Sequence, residues 1–270
     1  MNLIKFGKIL FISACIAFPG LVRSATYEVD PGNKTLRMTG EIIDEDAKRI
    51  EAYLHSGIET IIVRSGGGSV VGALEIAREM NKRKISLIVD KYCLSSCANY
   101  LFVAAYKKSL LPESVLGFHG GVYGEVPIKE SKTNKPKKGT MSMKSFWKED
   151  AKFFEKIGFN KDLLKRSYAL TEPEVKTRTY EVSARGEKFK FISENEMAKF
   201  LSELIQKKEK FGMSVTVNGS SETTAYFPDE KTLVKYGVKG IESYPYPKDK
   251  KEMESLAKTI SDDFQLIGDF

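Results

Sequence analysis

The chain has 270 residues, 41% of them hydrophobic and 29% charged, with a formal net charge of +7. That length suits one large domain or two modest ones, burying roughly 70–75% of the unfolded surface. The composition excludes general disorder, a collagen-like repeat and a polytopic membrane protein. Residues 1–24 hold Lys5, Lys8 and Arg23 and no acid, so 40 basic residues face 36 acidic ones in the remainder. A surplus of four over that length does not argue for nucleic acid as a partner.

The first residues read as an address. Lys5 and Lys8 precede an apolar run over residues 9–18, Pro19-Gly20 ends it, and Val22 and Ser24 suit the −3 and −1 positions of a signal-peptidase site. The expectation is a signal peptide over residues 1–24, a mature start at Ala25 and a periplasmic or secreted location. Two alternatives stay open: a lipoprotein anchored at Cys15, within Ile12-Ser13-Ala14-Cys15, and an uncleaved anchor. The anchor reading is weakened by a run shorter than the ~18–20 apolar residues that span a bilayer. Of the three cysteines, Cys93 and Cys97 then remain, in an oxidising compartment.

In chain order, residues 36–42 alternate like a strand. Asp44 is expected to cap a helix with Ala47, Ile50, Tyr53 and Leu54 on its apolar face, stopped by Gly57. Residues 60–63 read as a buried strand, followed by Ser65-Gly66-Gly67-Gly68-Ser69 and a helix with Val70, Ala73, Leu74, Ala77 and Met80 on one side. Residues 85–89 form the next strand. A cysteine-bearing turn, an apolar helix over residues 98–105, and short strands near Leu110 and at residues 115–119 complete the first half. This alternation predicts an α/β layer with parallel strands. The second half opens with a Lys-, Pro- and Gly-rich loop over residues 125–140. Helices are expected over residues 143–157 and 161–170, and a hairpin over 180–192 turning at Arg185-Gly186. Ser193 and Glu196 form a capping box for the next helix. A turn at Asn218-Gly219, a short helix over residues 229–236, and a C-terminal helix with Met253, Leu256, Ile260 and Phe264 on one face close the chain.

Three clusters can carry chemistry. Consecutive glycines between a buried strand and a helix let the backbone approach a ligand and aim amides at negative charge, either a phosphate or a developing oxyanion. The plain reading is a tight packing turn, and no Gly-x-x-x-x-Gly-Lys pattern supports a phosphate loop. The second cluster, Cys93-Leu94-Ser95-Ser96-Cys97, stands at a strand-to-helix turn, where a serine can expose its hydroxyl while helix amides face the same point. The third is His119 at a strand end. His55, the other histidine, falls on the exposed end of an amphipathic helix. Cys93 and Cys97 are expected to form a disulfide, because a four-residue offset near a helix start can bring Cα atoms within ~4.4–6.8 Å. Two buried thiols are the alternative. A zinc site with His119 lacks a fourth ligand, so no metal and no cofactor is expected.

The order of these clusters, from Ser65-Gly-Gly-Gly-Ser69-Val70 through the serine-bearing helix start to His119, resembles the Clp protease proteolytic subunit and the wider Clp/crotonase fold, including signal peptide peptidase A. More narrowly it resembles bacterial exported Clp-like proteins with Cys-x-Ser-x-Cys at the active-site helix. The resemblance runs from Leu36 to His119 and returns over residues 227–240. It implies an α/β, Clp/crotonase-type fold of repeated strand–helix units, with a helical and hairpin insertion over about residues 125–220 of a domain spanning 25–245, followed by the C-terminal helix over 246–270. It also implies a serine hydrolase of peptidase type, with a peptide or protein as substrate and a homo-oligomer as its assembly. By resemblance Gly67 and Gly68 help form an oxyanion hole and His119 is the general base. Counting back from Ala104-Ala105 selects Ser96 as nucleophile, with the Cys97 amide completing the hole; counting by Cys-x-Ser-x-Cys selects Ser95. The first count is preferred. The family's histidine-orienting aspartate falls on Ala225, with Glu222 and Asp229 nearby. That departure keeps a second reading alive, a catalytically degenerate binding module of the same fold. An acyl-CoA enzyme of crotonase type is disfavoured outside the cytoplasm.

Overall fold

The computed structural model describes residues 25–119, 143–171, 177–191, 193–207, 209–218 and 223–270. The leader, the Lys-rich loop, the Asn218-Gly219 turn and Glu222 therefore lie wholly or partly outside the described residues. Among the described residues no helix is long and apolar enough to cross a membrane.

The fold is α/β, built from repeated strand–helix units. Strands β1 (Thr26–Asp30) and β2 (Thr35–Thr39) pair antiparallel; β2, β3 (Thr60–Ser65), β4 (Ser86–Leu94) and β5 (Lys108–Leu110) then run parallel in that order, and β6 (Val115–Gly117) pairs with the end of β4. Helices α1 (Asp46–His55) and α2 (Val70–Arg83) pack on each other. Their buried residues Ile50, Leu54, Ala73, Leu74, Ala77 and Met80 share one core with Leu36, Met38, Ile61, Val63, Leu87 and Val89 of the sheet. Side chains alternate across a strand, so the β-branched run of β3 is only half interior. Ile62 is half-buried, and the Asp90 carboxylate of β4 accepts from Arg37 of β2 at 2.6 Å and from Arg64 of β3 itself at 2.9 Å.

Asp44 does not cap α1. The cap position is Glu45, without a side-chain bond, and Asp44 instead accepts from the Ser69 hydroxyl. Ser69 in turn caps α2 by accepting from Gly72 N at 3.0 Å, so Asp44 tethers the end of the glycine loop.

Strand β4 serves two neighbours in succession. Leu87–Val89 pairs with β5 and Tyr92–Leu94 with β6. The switch occurs at Lys91, whose φ of 72° bends the strand while its amide donates to Ser114 Oγ at 2.9 Å.

In the second half, α3 (Met143–Ile157) and α4 (Asp162–Thr171) join the main core through Phe146, Phe153, Phe154, Leu163 and Leu164. Strands β7 (Thr177–Ala184), β8 (Glu187–Phe191) and β9 (Phe211–Asn218) form an antiparallel sheet, and α5 (Glu194–Gln206) packs on it around a separate small core of Tyr180, Val182, Ala184, Met197 and Leu204. The hairpin turn at Arg185-Gly186 and the Ser193 cap, which accepts from Glu196 N, are as the sequence predicts. The helical half of the expected insertion thus belongs to the main core, and only the β7–β9 and α5 part has a core of its own.

Strand β10 (Thr224–Phe227), α6 (Glu230–Lys235), β11 (Ile241–Ser243) on the edge of β5, and α7 (Lys250–Lys258) follow. The C-terminal helix is shorter than its apolar spacing predicts. It ends at Lys258, where Thr259 and Ile260 turn back to Leu256 O and Ala257 O, and a Ser261-to-Phe264 turn redirects the chain. The last segment is β12 (Gln265–Gly268), parallel to β10. A strand partner outcompetes helical spacing here because β10 offers an open edge.

Candidate active site

Ser95 occupies the junction between β4 and the short π-helix Cys97–Phe102. Its φ is 55°, in the left-handed region that non-glycine residues rarely adopt. Two backbone bonds hold it there: Ser95 N donates to Gly117 O at 2.9 Å, and Ser95 O accepts from Asn99 N at 2.8 Å. Cys93 and Cys97 are joined in a disulfide with their Cα atoms 5.3 Å apart, so a covalent strap spans the three residues that contain the strained turn. The disulfide also removes the thiolates that a zinc site would need.

The turn presents its two serines differently. Ser95 is half-buried and lines a cavity of about 470 Å³ with Glu41, Gly66, Gly67, Gly68, Leu94, His119 and Phe264. Ser96 is absent from that wall, fully buried, and its hydroxyl has no hydrogen-bond partner among the described residues. Of the two serines it is Ser95, and not the Ser96 that the first sequence count prefers, that shares a cavity with His119. Ser95 has a left-handed φ and Ser96 a right-handed helical one, which sets the two side chains in different directions.

The glycine loop is built for close approach. A Cβ at Gly67, where φ is 100°, would lie 2.6 Å from Ser95 Cβ and 2.8 Å from Leu94 O. Gly68 has φ 129° and abuts Ile42 O. Ile42 clamps the loop, donating to Gly67 O and accepting from Ser69 N, both at 2.7 Å. The two amides differ in availability. Gly67 N donates to Ser65 Oγ at 3.1 Å, whereas Gly68 N has no acceptor among the described residues. On the other side, the first helical bond runs from Asn99 to Ser95, which leaves the amides of Ser96, Cys97 and Ala98 ahead of the ladder.

His119 follows β6 and is half-buried. Burial, which disfavours the charged form, pushes its imidazole pKa down to about 4. Its carbonyl accepts from Asn99 Nδ2 at 3.2 Å, tying the strand end to the serine-bearing helix. Phe118 and Tyr226 exchange both backbone bonds, at 2.8 and 2.7 Å, in an antiparallel bridge. Continuing that register by one residue sets His119 opposite Ala225, which is fully buried. Ala225 supplies no carboxylate at that register position, and its Cβ lies 2.8 Å from the Cβ position of Gly117. Asp229 is committed elsewhere, accepting from Thr232 N at 2.7 Å as the cap of α6. His55 is exposed and lies against Arg83.

Phe264, Glu41 and Asn99 are site residues that the sequence reading misses. The apolar spacing puts Phe264 on a helix face, and its position after Asp262-Asp263 gives no hint of a cavity wall. Asn99 had a signal, a polar residue within an apolar helix.

No protein-family model matches this sequence, and no curated protein matches it. Among solved structures, the fold is similar to a ClpP1 mutant from Listeria monocytogenes, with a TM-score of 0.36 and 16% identity over 63% of this chain and 88% of that one.

Proposed function

We propose that this chain is an exported serine hydrolase of Clp/crotonase type that cleaves peptide bonds through a Ser95–His119 pair. The observation that carries the reading is the shared cavity: a serine held in a strained strand-to-helix turn, a histidine and a glycine loop converge on one space. Ser95 Oγ bonds to the substrate carbonyl carbon as its proton passes to the His119 imidazole. The carbonyl oxygen takes up the electron pair as an oxyanion, held by the Gly68 and Ser96 amides. Collapse of that intermediate breaks the C–N bond, and His119 returns the proton to the departing amine. Water then cleaves the acyl-serine ester by the same steps. Ser95, with Ser96 supplying the amide, replaces the Ser96 and Cys97 pairing preferred from sequence. The resemblance adds a homo-oligomer to this reading. Export rests on the leader pattern of residues 1–24 and on the Cys93–Cys97 disulfide.

The test is labelling of the protein from Ala25 onwards with a fluorophosphonate probe. The adduct is expected on Ser95, lost in Ser95→Ala and His119→Ala, and kept in Ser96→Ala. A folded protein that takes no label, or Ser95→Ala that labels as well as the parent, overturns the proposal. One observation favours the second reading, a binding module without catalysis: Ala225, at the register position opposite His119, supplies no orienting carboxylate. Peptide retention by an unlabelled, folded protein would select that reading. An N-terminus at Ala25 in material recovered from the native host supports export by signal peptidase; a lipid-modified Cys15 selects the anchored alternative.

A further inference from the structure

A second cavity, about 520 Å³, lies where the end of the π-helix, the start of β5, the end of α3 and the segment before β11 meet. Its wall includes Lys108, a lysine on a strand of the main sheet that is 2% exposed. Lysine is almost never buried without a counter-charge. Here the ammonium donates to Lys239 O and stands 5.8 Å from the centre of the Phe102 ring, and among the described residues no carboxylate pairs with it. The one acid on the cavity wall, Glu242, pairs with Lys107 at 2.6 Å. Two further lysines of the wall, Lys156 from α3 and Lys239, are exposed and form no ion pair among the described residues. Lys239 Nζ reaches within 3.7 Å of the Cβ position of Gly158, beside the end of α3 that carries Lys156. The carbonyl of Ala104, which would oppose an anion, receives Asn81 Nδ2 at 3.4 Å. Burial lowers the Lys108 pKa to about 8, so the amine is still mostly charged at neutral pH.

We infer that this cavity binds a small phosphomonoester, its phosphate held by Lys108, Lys156 and Lys239 and its apolar body set against Val103, Ile157 and Ile241. Three separate ammonium groups act as point charges with rotatable donors and suit a tetrahedral dianion; a planar carboxylate is better matched by an arginine fork, which the wall lacks. The volume is that of an organic ligand and far exceeds a bare phosphate ion. The inference is independent of the Ser95–His119 cavity.

The experiment is calorimetric titration of the protein from Ala25 onwards with phenyl phosphate, inorganic phosphate and benzoate at matched ionic strength. Phenyl phosphate is expected to bind at least about tenfold more tightly than either comparator, as loss of one charged hydrogen-bond partner or of the apolar body predicts. Lys108→Met should weaken it by a similar factor. Should Lys108→Met fail to fold by circular dichroism, the double variant Lys156→Gln/Lys239→Gln, altered only at exposed positions, should weaken phenyl phosphate about three- to tenfold. Absence of phenyl phosphate binding, equal binding of benzoate or inorganic phosphate, or unchanged affinity in the folded variants overturns the inference. Labelling of Ser95 should be unaffected in all of these variants.

Discussion

Replacing Ala225 with aspartate puts a carboxylate at the position that the Phe118–Tyr226 register, continued by one residue, sets opposite His119. The Phe118–Tyr226 pair exchanges both of its backbone bonds in an isolated bridge; continued by one residue, that register would make His119 and Ala225 a non-hydrogen-bonded pair, with Cβ atoms about 4.5–5.5 Å apart. A carboxylate about 4 Å from an imidazolium at an effective dielectric constant near 20 gains about 4 kcal/mol. Much of that is cancelled by desolvating the new charge at a fully buried position. What remains should lift the His119 pKa from about 4 by roughly one to two pH units, at about 1.4 kcal/mol each. The assay is a histidine-detected NMR titration, with Ala225→Asn as the uncharged control, together with probe labelling followed against pH. The acid limb of labelling should move up with the imidazole, and the rate at pH 8 should rise at least about tenfold, below the ~10⁴ that the orienting acid is worth in a serine triad. Folded Ala225→Asp whose His119 titrates as in the parent would refute the register that sets these residues face to face.

Ser96→Ala should raise stability by about 1 kcal/mol in chemical denaturation, because it removes a buried hydroxyl without a partner. Gly67→Ala should abolish labelling and cost at least about 2 kcal/mol, since the added methyl at positive φ collides with Ser95 and Leu94 O. His119 carries a folded pKa of about 4 against 6.5 unfolded, so the unfolded chain binds more protons between those values and stability falls as pH drops from 6.5 to 4. His119→Gln should flatten that part of a stability-against-pH curve, removing on the order of 2–3 kcal/mol of the fall. Mass spectrometry of non-reduced protein should find Cys93 and Cys97 linked, and Cys93→Ser/Cys97→Ser should lose labelling far more than stability, because so short a loop restrains the unfolded chain only slightly.

The parallel layer is readable from sequence because strands β2 to β4 and helices α1 and α2 repeat one hydrophobic rhythm, and Gly57 and Ser69 punctuate it by simple steric and capping rules. The glycine loop and His119 are legible for a related reason: few residue types serve at those backbone positions. The choice between Ser95 and Ser96 is not, because adjacent identical residues carry no periodicity, and only the left-handed φ at Ser95 decides which hydroxyl faces out. Asp44 misleads since its nearest helix start and the more distant Ser69 compete for the same carboxylate. The tail misleads since Met253, Leu256, Ile260 and Phe264 keep helical spacing across a point where a strand edge supplies better hydrogen bonding.

The wall formed by Phe264 sets the order in which the cavity can be assembled. Ser95 gains its conformation from neighbours close in the chain, Gly117 and Asn99, whereas Phe264 meets the glycine loop only after most of the described sequence has found its place. Contacts of such long range form late, because the loop they close must first lose its freedom. The same segment is expected to open before the parallel sheet does. Its attachment depends on β12 lying along β10 and on Asp269, which accepts from Tyr226, Arg166 and the Asp229 amide. Release of that attachment uncovers the cavity while the parallel sheet stays folded, so protection of its amides from hydrogen exchange should be lower in Gln265–Gly268 than in β3 or β4.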